Sequence, residues 1–395
     1  MASALEQVKV VDLSSHLSGP YCAMLLADHG ADVIKVERPD RGDEARAMPP
    51  FVGGESAPFM IWNRNKRSVV LDLKTDEGKA ALLRLIDSAD VLIENFRPDT
   101  LERLGLGWTA LAERNPRLIY GAISGFGQTG PYRQRGGFDL VAQGMSGLMS
   151  VCGPKDGPPH RLPIAISDIA AGMHLAVGIL SALEARHRTG RGQMVETSLL
   201  EAAVSLCVYE AAHVSTTGAR PPRLGQAHRG SSPYQVFATA DGWVCVGAAQ
   251  QNFWTRLCDL LGAPELQHDP RFVANSDRVR NNDELVELLQ RRFKEKPSAH
   301  WLTAMEAAGI PSGPVLNFDE VLSDPHIVAR GMVVETFHPV TGSFKTLGIP
   351  VKLSHTPGAI RRPAPRLGEH TAEVLDHLGV AGGGILPQKS ADGTS

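Results

Sequence analysis

The sequence predicts an α/β protein with a mostly parallel sheet in a large domain and a smaller α+β domain. Three observations support this prediction. Short β-branched runs alternate with helical patterns through the first half of the chain, which is typical of strand–helix–strand crossovers. After residue 215 the pattern gives way to a stretch rich in Gly, Pro and Arg. At 395 residues the chain is longer than one hydrophobic core usually organises.

The first half predicts the elements of the large domain in order. Strands are expected at 9–13, 32–37, 68–73, 90–96, 118–124 and 194–197, and helices at 21–29, 76–89, 168–188 and 199–214. Gly30 and Gly190 follow two of these helices, and glycine favours the left-handed conformation in which helices often end. Parallel strands need such helical crossovers, so the sheet is expected to be mostly parallel.

The second half predicts a separate, smaller domain. Residues 216–233 read as a connection, and Ala240-Asp241-Gly242 joins strands at 234–239 and 243–248 as a hairpin. Helices are expected at 253–261, 282–293 and 299–308, and a last one at 369–378. The predicted division is 1–215 for the large domain, 216–322 for the linker and small domain, 323–381 for the return to the large domain, and 382–395 for a disordered tail.

Composition excludes several classes of protein. The net charge of −3 excludes a globally basic nucleic-acid binder. Five cysteines are too few and too scattered for a disulfide framework, and none has metal-ligand spacing. The amino terminus lacks the layout of a signal peptide, and the longest apolar helical stretch, 169–183, reads as too short to span a bilayer. We therefore expect a soluble cytoplasmic enzyme without a metal site, a nucleic-acid partner or a membrane partner.

One glycine motif invites a nucleotide interpretation that its surroundings do not support. Gly125–Gly130 (GFGQTG) matches G-x-G-x-x-G and follows a predicted strand. A dinucleotide site also needs the third glycine to open a helix and an acidic residue about 20 positions further on. Here Pro131 follows at once, and Asp139 comes too early. The motif predicts a tight turn, and no nicotinamide or flavin site is expected.

The segment 161–193 contains the most informative acidic residue. An apolar run leads into Ser167 and Asp168 and then into a long helical pattern. Ser167 is predicted to cap this helix, which places Asp168 in the first turn, where the helix dipole favours an anion. An ionised, weakly solvated carboxylate can attack an activated acyl carbon. From these residues alone, a plain helix-start acid is the favoured interpretation of Asp168.

A second concentration of charge lies in the amino-terminal half. Its cations surround the ends of predicted strands: Arg38, Arg41, Arg46, Arg64, Lys66, Arg67, Lys74, Arg97 and Arg103. Open α/β sheets bind ligands beyond the carboxyl ends of their strands, and arginine pairs well with phosphate. These cations therefore favour a phosphorylated ligand, while neighbouring acids leave open that they are solvated surface charge.

Several spaced motifs together resemble the class III CoA-transferases, the CaiB/BaiF family. They are VDLSSHLSGPYCAMLLADHGADVIKVERPDRGDEAR at 11–46, NRNKRSVVLDLK at 63–74, ENFRPDTLERLGLG at 94–107, NPRLIYGAISGFGQTGPY at 115–132, SDIAAGMH at 167–174, TGRGQ at 189–193 and LGEHTAEVL at 367–375. The resemblance extends from about residue 8 to 378. It implies a Rossmann-like large domain built from both chain ends, a smaller domain between them, and an interlocked homodimer.

The resemblance also implies a mechanism and a set of contacts. Asp168 matches the nucleophile that forms an aspartyl–acyl anhydride and then an aspartyl-CoA thioester, with coenzyme A as the substrate that is transferred. Contacts with CoA are implied for Arg38, Leu71, Lys74, Asn95, Phe96, Arg97 and Arg103, and for the loop Gly136, Gly137, Phe138 and Asp139. His16 and Leu17 occupy the substrate position where formyl-CoA transferases carry glutamine. Gly247–Gln251 replaces their glycine-rich flap, so formyl or oxalate specificity is not expected.

The resemblance favours succinyl-CoA:dicarboxylate transferases, and His16, Arg135 and Arg229 are candidates to bind a distal carboxylate. One alternative is a 2-methylacyl-CoA racemase of the same fold. Those enzymes use a Gly-His-Asp stretch, whereas this chain has Gly137-Phe138-Asp139, and phenylalanine cannot transfer a proton. His16 and His174 remain open as substitutes. A second alternative is a non-catalytic CoA-binding protein, which the presence of Asp168 argues against.

Overall fold

The computed structural model describes residues 2–380, so the predicted tail at 382–395 lies outside the described residues. The strands are β1 (Lys9–Asp12), β2 (Asp32–Glu37), β3 (Phe51–Val52), β4 (Glu55–Ser56), β5 (Lys66–Val70), β6 (Val91–Glu94), β7 (Ile119–Ser124), β8 (Met194–Ser198), β9 (Tyr234–Ala238), β10 (Trp243–Gly247), β11 (Ser312–Pro314), β12 (Val333–His338) and β13 (Gly342–Leu347).

The helices alternate with these strands in the first half of the chain and cluster in the second. They are α1 (Ser18–Asp28), α2 (Ala57–Trp62), α3 (Asp76–Ser88), α4 (Thr100–Arg103), α5 (Trp108–Arg114), α6 (Asp139–Met145), α7 (Leu148–Val151), α8 (Ile166–Thr189), α9 (Leu199–Ser205), α10 (Val208–Thr217), α11 (Gln251–Leu260), α12 (Asn275–Arg280), α13 (Asn282–Phe293), α14 (Ser298–Ala307), α15 (Phe318–Val321), α16 (Pro325–Ala329) and α17 (Thr371–His377).

The described residues form two compact units. The first unit comprises residues up to Leu148, Leu162–Ala212 and residues from Pro325 onward. The second comprises Met149–Arg161 and His213–Asp324. The predicted division places all of 1–215 in the large domain, whereas these units place 149–161 and 213–215 with the second. The segment 149–161 joins the second unit because Arg223 donates to the carbonyls of Pro154 and Gly157, at 3.3 and 2.6 Å.

The first unit is built on a six-stranded sheet in the order β5-β2-β1-β6-β7-β8, and every neighbouring pair is parallel. This order is that of a doubly wound nucleotide-binding sheet. Successive side chains point to opposite faces, so Val10 packs in the core beside α1 and α8 while Val11 packs in the core beside α3. The predicted α/β class with a parallel central sheet is confirmed.

The second unit has a core of its own. Its antiparallel sheet has the order β11-β10-β9, and β9 and β10 form the predicted hairpin. Phe237 from β9 stacks on Phe293 from α13, with ring centroids 4.7 Å apart, and Trp254 from α11 is fully buried in the same cluster. These contacts bury one face of the sheet under helices.

The helix α8 is longer than the predicted apolar stretch. Its 24 residues are long and apolar enough to cross a membrane, so the expectation that this stretch is too short is wrong on length. Half of its most apolar 18-residue stretch is buried within the protein, where the helix packs against β7, β8, α1 and α9. Core helices pass the same test of length and composition.

A glycine lets α1 and α8 approach closely. A Cβ atom on Gly172 would lie 2.7 Å from the carbonyl oxygen of Ser18 and 3.1 Å from the ring of Tyr21. Backbone cannot yield at that distance as a flexible side chain can, so the helices would have to separate. Gly172 thus fixes the start of α1 beside the first turns of α8.

The substitution Gly172→Ala is expected to lower the free energy of unfolding by about 1–3 kcal/mol, because overpacking outweighs the helix propensity of alanine. Urea unfolding measures the change. Ser181→Ala, on the exposed side of the same helix, is the control and should be neutral or slightly stabilising. A Gly172→Ala protein as stable as the parent, or more stable, would contradict the close approach.

Candidate active site

Asp168 lies in the first turn of α8 and is half-buried, as predicted from the apolar run that precedes it. The cap, however, differs from the prediction. Helix α8 begins at Ile166, so Ser167 is inside the helix, and its fully buried hydroxyl oxygen finds no hydrogen-bond partner among the described residues. Ser167 is therefore not the residue that caps this helix.

The carboxylate of Asp139, at the start of α6, caps α8 instead. The Ser167 amide donates to Asp139 Oδ1 at 2.9 Å, and Gln143 Nε2 donates to Asp139 Oδ2 at 2.8 Å. The amide of Leu162 donates to Gln143 Oε1 at 2.9 Å. Because Gln143 is fully buried, this short network fixes where α8 begins and hence where Asp168 stands.

The environment of Asp168 raises the pKa of its carboxyl group to about 6. Burial is the main cause, and the negative charge of Asp139 adds to it, while a hydrogen bond from the Ser18 hydroxyl acts in the opposite direction. At pH 7 about nine in ten of these groups are still ionised. Asp168 is thus a carboxylate with little solvation, which is the form that attacks acyl carbon.

The loop between β1 and α1 is held in a strained conformation. His16 has φ of 63°, which is uncommon for a residue other than glycine, and its amide donates to Asp43 Oδ1 at 2.9 Å. The Asn95 side chain forms two hydrogen bonds with the backbone of Ser15, the residue before His16. The Ser15 amide donates to Asn95 Oδ1 at 2.9 Å, and Asn95 Nδ2 donates to the Ser15 carbonyl at 2.7 Å. The predicted substrate residues differ in exposure, since the His16 side chain is exposed and Leu17 is half-buried.

A buried ion-pair network supports this loop. Lys35 Nζ lies 2.7 Å from Asp43 Oδ2 and donates to the Ser14 carbonyl at 2.8 Å. Lys66 Nζ lies 2.9 Å from Asp12 Oδ2. Burial lowers the pKa of Lys66 to about 8, and Lys35 lowers the pKa of Asp43 to about 2 against the effect of burial. Removing one partner would leave an uncompensated buried charge, which is strongly destabilising.

Ion pairs within the protein correct the interpretation of several predicted ligand-binding cations. Lys66 is fully buried and pairs with Asp12, and the buried Arg64 pairs with Asp28 at 2.7 Å. Arg46 binds Glu37, and Arg67 binds Asp32 and Glu373. The partners of Arg64, Lys66 and Arg67 are distant in sequence, which is why the charge pattern alone did not reveal them. Glu37, by contrast, lies only 9 residues before Arg46. These four cations hold the fold together.

A cavity of about 250 Å³ opens at the carboxyl ends of β1, β2, β5 and β6. Its lining includes Leu13, Ser14, Ser15, Val36, Glu37, Arg38, Gly42, Asp43, Glu44, Leu71, Asp72, Leu73, Lys74, Phe96, Thr100, Leu101 and Leu104. Arg38, Leu71, Lys74 and Phe96 of the predicted CoA contacts therefore meet in one place. Arg38 forms exposed ion pairs with Asp40 and Glu44, at 3.3 and 2.8 Å. Such exposed pairs exchange partners at little cost.

The other predicted CoA contacts do not line this cavity, and three of them lie outside the loop Gly136–Asp139. Asn95 is occupied in holding the Ser15 backbone. The guanidinium of Arg97 would lie 3.1 Å from a Cβ atom on Gly136, so it borders the loop after β7. Arg103 is exposed and donates to Thr100 Oγ1 at 3.2 Å.

The loop from Gly125 to Asp139 contains the rejected glycine motif. Gly127 and Gly130 have φ of 93° and 82°, and no helix begins between β7 and α6, so the segment is a turn as predicted. A Cβ atom on Gly137 would lie 2.4 Å from Cα of Gly125, so both glycines are needed where the loop closes on itself. Phe138 is 70% exposed, while Asp139 turns back to α8.

Two residues near Asp168 escaped prediction from the sequence. The Ser18 hydroxyl acts to lower the pKa of Asp168, and Gln143 anchors the segment before α8 by accepting from the amide of Leu162. Ser18 stands 150 positions before Asp168, and nothing in its own sequence neighbourhood indicates that effect. For Gln143, its position one helical turn after Asp139 was the available signal.

Comparison with known proteins agrees with this site. The family model described as CoA-transferase family III matches residues 5–371. The succinyl-CoA:glutarate CoA-transferase of Homo sapiens is 39% identical over 375 residues, covering 95% of this chain and 86% of that protein. The acetyl-CoA:oxalate CoA-transferase of Acetobacter aceti is 40% identical over 367 residues, covering 92% and 93%. The crystal structure of a CaiB/BaiF family protein from Brucella suis has a TM-score of 0.87 at 36% identity, covering 96% and 100%.

A parallel sheet of this order, with a cavity at the carboxyl ends of its strands, is typical of α/β proteins that bind a ligand there. The chain belongs to CoA-transferase family III, and it is an enzyme that transfers CoA.

The substitution Asp168→Asn is expected to raise the free energy of unfolding by about 1–3 kcal/mol above pH 6, because it removes a carboxylate whose pKa folding raises. Above that pH the carboxylate is charged in both the folded and unfolded chain, so the parent bears the whole cost. The advantage of asparagine should shrink as the pH falls from about 6 toward the ordinary value of 3.8.

Denaturant unfolding at several pH values measures this difference. Asp76→Asn, an exposed aspartate in the first turn of α3, is the matched control and should give no gain at any pH. A stability difference for Asp168→Asn that does not depend on pH would contradict the raised pKa.

Proposed function

We propose that this enzyme moves CoA from an acyl-CoA, with succinyl-CoA as the preferred donor, to a dicarboxylic acid through covalent intermediates on Asp168. The observation that carries the proposal is the half-buried, ionised carboxylate in the first turn of α8. The names of the human and Acetobacter relatives support CoA transfer between an acyl-CoA and a dicarboxylic acid.

The first half-reaction transfers the donor acyl group and then CoA to the enzyme. An oxygen of Asp168 attacks the thioester carbonyl, the carbon–sulfur bond breaks, and CoA leaves as a thiolate. The product is a mixed anhydride between Asp168 and the donor acid. The thiolate then attacks the aspartyl carbonyl and expels the donor carboxylate, which leaves an aspartyl-CoA thioester.

The second half-reaction runs the same steps in reverse with the acceptor. The acceptor carboxylate attacks the aspartyl thioester and releases the thiolate, which then attacks the acceptor carbonyl of the new anhydride. Asp168 returns as a free carboxylate, so no net proton or electron is gained or lost. Metal and redox cofactors are not required by this sequence of steps. The pKa of about 6 makes the carboxylate more basic, and therefore a better nucleophile, than an ordinary aspartate.

The cavity at the sheet edge suits the nucleotide end of CoA. Leu71 and Phe96 offer apolar walls to a base, and Arg38 and Lys74 offer cations to phosphate groups. The loop Gly136–Asp139 would pass beside the pantetheine arm, because Asp139 contacts the residue before Asp168. Asn95, Arg97 and Arg103 would contribute at the margins of this path.

A distal carboxylate on the acceptor needs a cation. Arg135 is suited to that role: its guanidinium lies 4.7 Å from the centroid of the Tyr132 ring and 5.4 Å from that of Phe126, which orients it in the loop before Asp139. His16, whose exposed ring stands two residues before Ser18, is the second candidate, with Leu17 as its apolar neighbour.

We further propose a homodimer of the interlocked type in the cytoplasm. Val177 on α8 is 64% exposed, and Met173 and Leu180 on the same side are 43% and 44% exposed. A second copy of the chain would remove such an apolar stripe from water. The five free thiols suit a reducing compartment.

A transfer assay tests the proposed function. With succinyl-CoA and a panel of dicarboxylic acids, Asp168→Ala should lower the rate at least about a thousandfold, because no other residue supplies the nucleophile. Asp76→Ala, the exposed helix-start aspartate of α3, should leave the rate unchanged. Hydrolysis without transfer, or transfer that survives Asp168→Ala, would contradict the proposal.

A further inference from the structure

A second cavity, of about 330 Å³, opens at the opposite end of the sheet from the first. It lies beside Asp32 and Arg67, at the amino ends of β2 and β5, whereas the first cavity lies at the carboxyl ends of the same strands. Strand β2 is six residues long, so about 17 Å of strand separates the two cavities. Within residues 2–380 no residue lines both, and the second cavity is therefore a separate place for a ligand.

The lining of this second cavity carries more positive than negative charge. Its charged residues are Arg67, Arg361, Arg362 and Asp32. Arg67 is already paired, since it donates to Asp32 at 2.7 and 3.1 Å and to Glu373 at 2.9 Å. Arg361 and Arg362 form no ion pair within the described part of the chain. The uncompensated positive charge therefore belongs to these two arginines.

The backbone that carries the two arginines is held in place by Asn65. The amides of Arg361 and Arg362 both donate to Asn65 Oδ1, at 2.6 and 3.0 Å. Asn65 Nδ2 donates in turn to the carbonyl of Ala359 at 2.9 Å and to Asp28 Oδ1 at 2.8 Å. Asn65 itself has φ of 62°, a conformation that asparagine adopts more readily than most residues. Both arginines thus start from a fixed position at the cavity.

The guanidinium groups of these two arginines have most of their donors available. Arg361 uses Nη2 to donate to the carbonyl of Ala27, near the end of α1. The side chain of Arg362 makes no hydrogen bond within residues 2–380, and both arginines are exposed. A guanidinium presents its donors in a planar fork that matches two oxygens of one phosphate or carboxylate group. Cations gathered in a concavity also raise the local positive potential, which attracts anions.

The rest of the lining favours a small ligand over a nucleotide. Besides the charged residues, the cavity is lined by Gly30, Ala31 and Asn65. It therefore lacks, among the described residues, the aromatic or large apolar walls that would cover a base. The first cavity offers such walls in Leu71 and Phe96. The second cavity is suited to a compact anion that needs only cations and polar groups.

We propose that this second cavity, here called the arginine cavity, is a binding site for a small oxyanion with Arg361 and Arg362 as its ligands. Inorganic phosphate and a short dicarboxylic acid share the chemistry that these groups recognise, because each presents paired, negatively charged oxygens. The site goes beyond the proposed function, since it shares no residue with Asp168 or with the proposed CoA cavity.

Calorimetric titration of the protein with inorganic phosphate, and separately with glutarate, tests the site. The ionic strength is kept constant with sodium chloride, so that general screening of surface charge does not change during the titration. We expect a dissociation constant of about a millimolar for at least one probe, because the cations are exposed to water and exposed ion pairs are weak.

The substitution Arg362→Gln should weaken this binding about tenfold, because it removes the charge-assisted hydrogen bonds of one guanidinium. Its urea unfolding should match that of the parent, since the side chain has no partner to lose in the described part of the chain. Arg362→Lys keeps the charge without the fork and should recover part of the affinity. Arg84→Gln removes one exposed positive charge from α3 and is the matched control, with unchanged affinity.

The substitution Arg38→Gln distinguishes the two cavities. Arg38 lines the first cavity, so its loss should weaken the binding of CoA and leave the binding of phosphate or glutarate unchanged. An anion affinity that depends on Arg38 and not on Arg362 would overturn the arginine cavity as the site. Equal affinity in the parent and in Arg362→Gln would also overturn it, as would a parent that binds neither probe at millimolar concentration.

The two probes identify the source of the anion. Tighter binding of phosphate points to free phosphate, and tighter binding of glutarate points to a dicarboxylic acid; either supports the site when it depends on Arg362. Asp168→Ala should bind both probes as the parent does. Transfer that survives Asp168→Ala would therefore overturn the proposed function alone.

Discussion

The position of the Asp168 carboxylate depends on one hydrogen bond between residues 28 positions apart, from the Ser167 amide to Asp139 Oδ1. This bond gives α8 its first-turn cap from another helix. It also places a second negative charge beside Asp168, which adds to the effect of burial in raising its pKa. The same contact thus fixes the geometry of the proposed nucleophile and raises the pKa of its carboxyl group. Burying the ionised carboxylate of Asp168 lowers the stability of the fold. The same burial raises the basicity that the proposed reaction needs, so stability and reactivity make opposite demands on this residue.

The surrounding structure limits how far the carboxylate can relax. The strained backbone at His16 is fixed by Asp43, which is itself held by the buried Lys35. Strain of this kind persists only where neighbouring contacts determine it from several sides. The loop after β1 therefore has one defined conformation. It also forms one wall of the cavity at the carboxyl ends of the strands, through Ser15.

Local pattern was enough to predict the architecture of the sheet. The β-branched run at β2 and the helical pattern of α13 were predicted with the observed bounds, because their hydrophobic periodicity is unbroken. The single helix expected at 199–214 is divided into α9 and α10, with a break at Leu206-Cys207 that apolar periodicity does not show. The segment 149–161 was predicted with the large domain because its main signals are glycine and proline, while the arginine that joins it to the second unit comes later in the chain.

The candidate site was predictable only in part, for a similar reason. Asp168 was identifiable because a helix start and the family resemblance coincide there. The function of its neighbours depends on partners that periodicity cannot reveal: Ser167 was expected to cap α8, but the cap is Asp139, and Lys66 was counted with ligand-binding cations although Asp12 neutralises it in the core. Long-range hydrogen bonds of this kind require the fold before they can be recognised.

The proposed mechanism requires Asp168 itself to become covalently bonded during transfer. The most direct measurement is to incubate the protein with succinyl-CoA, quench with hydroxylamine, and map the modified peptide by mass spectrometry. The expected product is an aspartyl hydroxamate at Asp168 that forms only when acyl-CoA is present. A hydroxamate on Asp139 instead, or none on any peptide while CoA transfer proceeds, would contradict it.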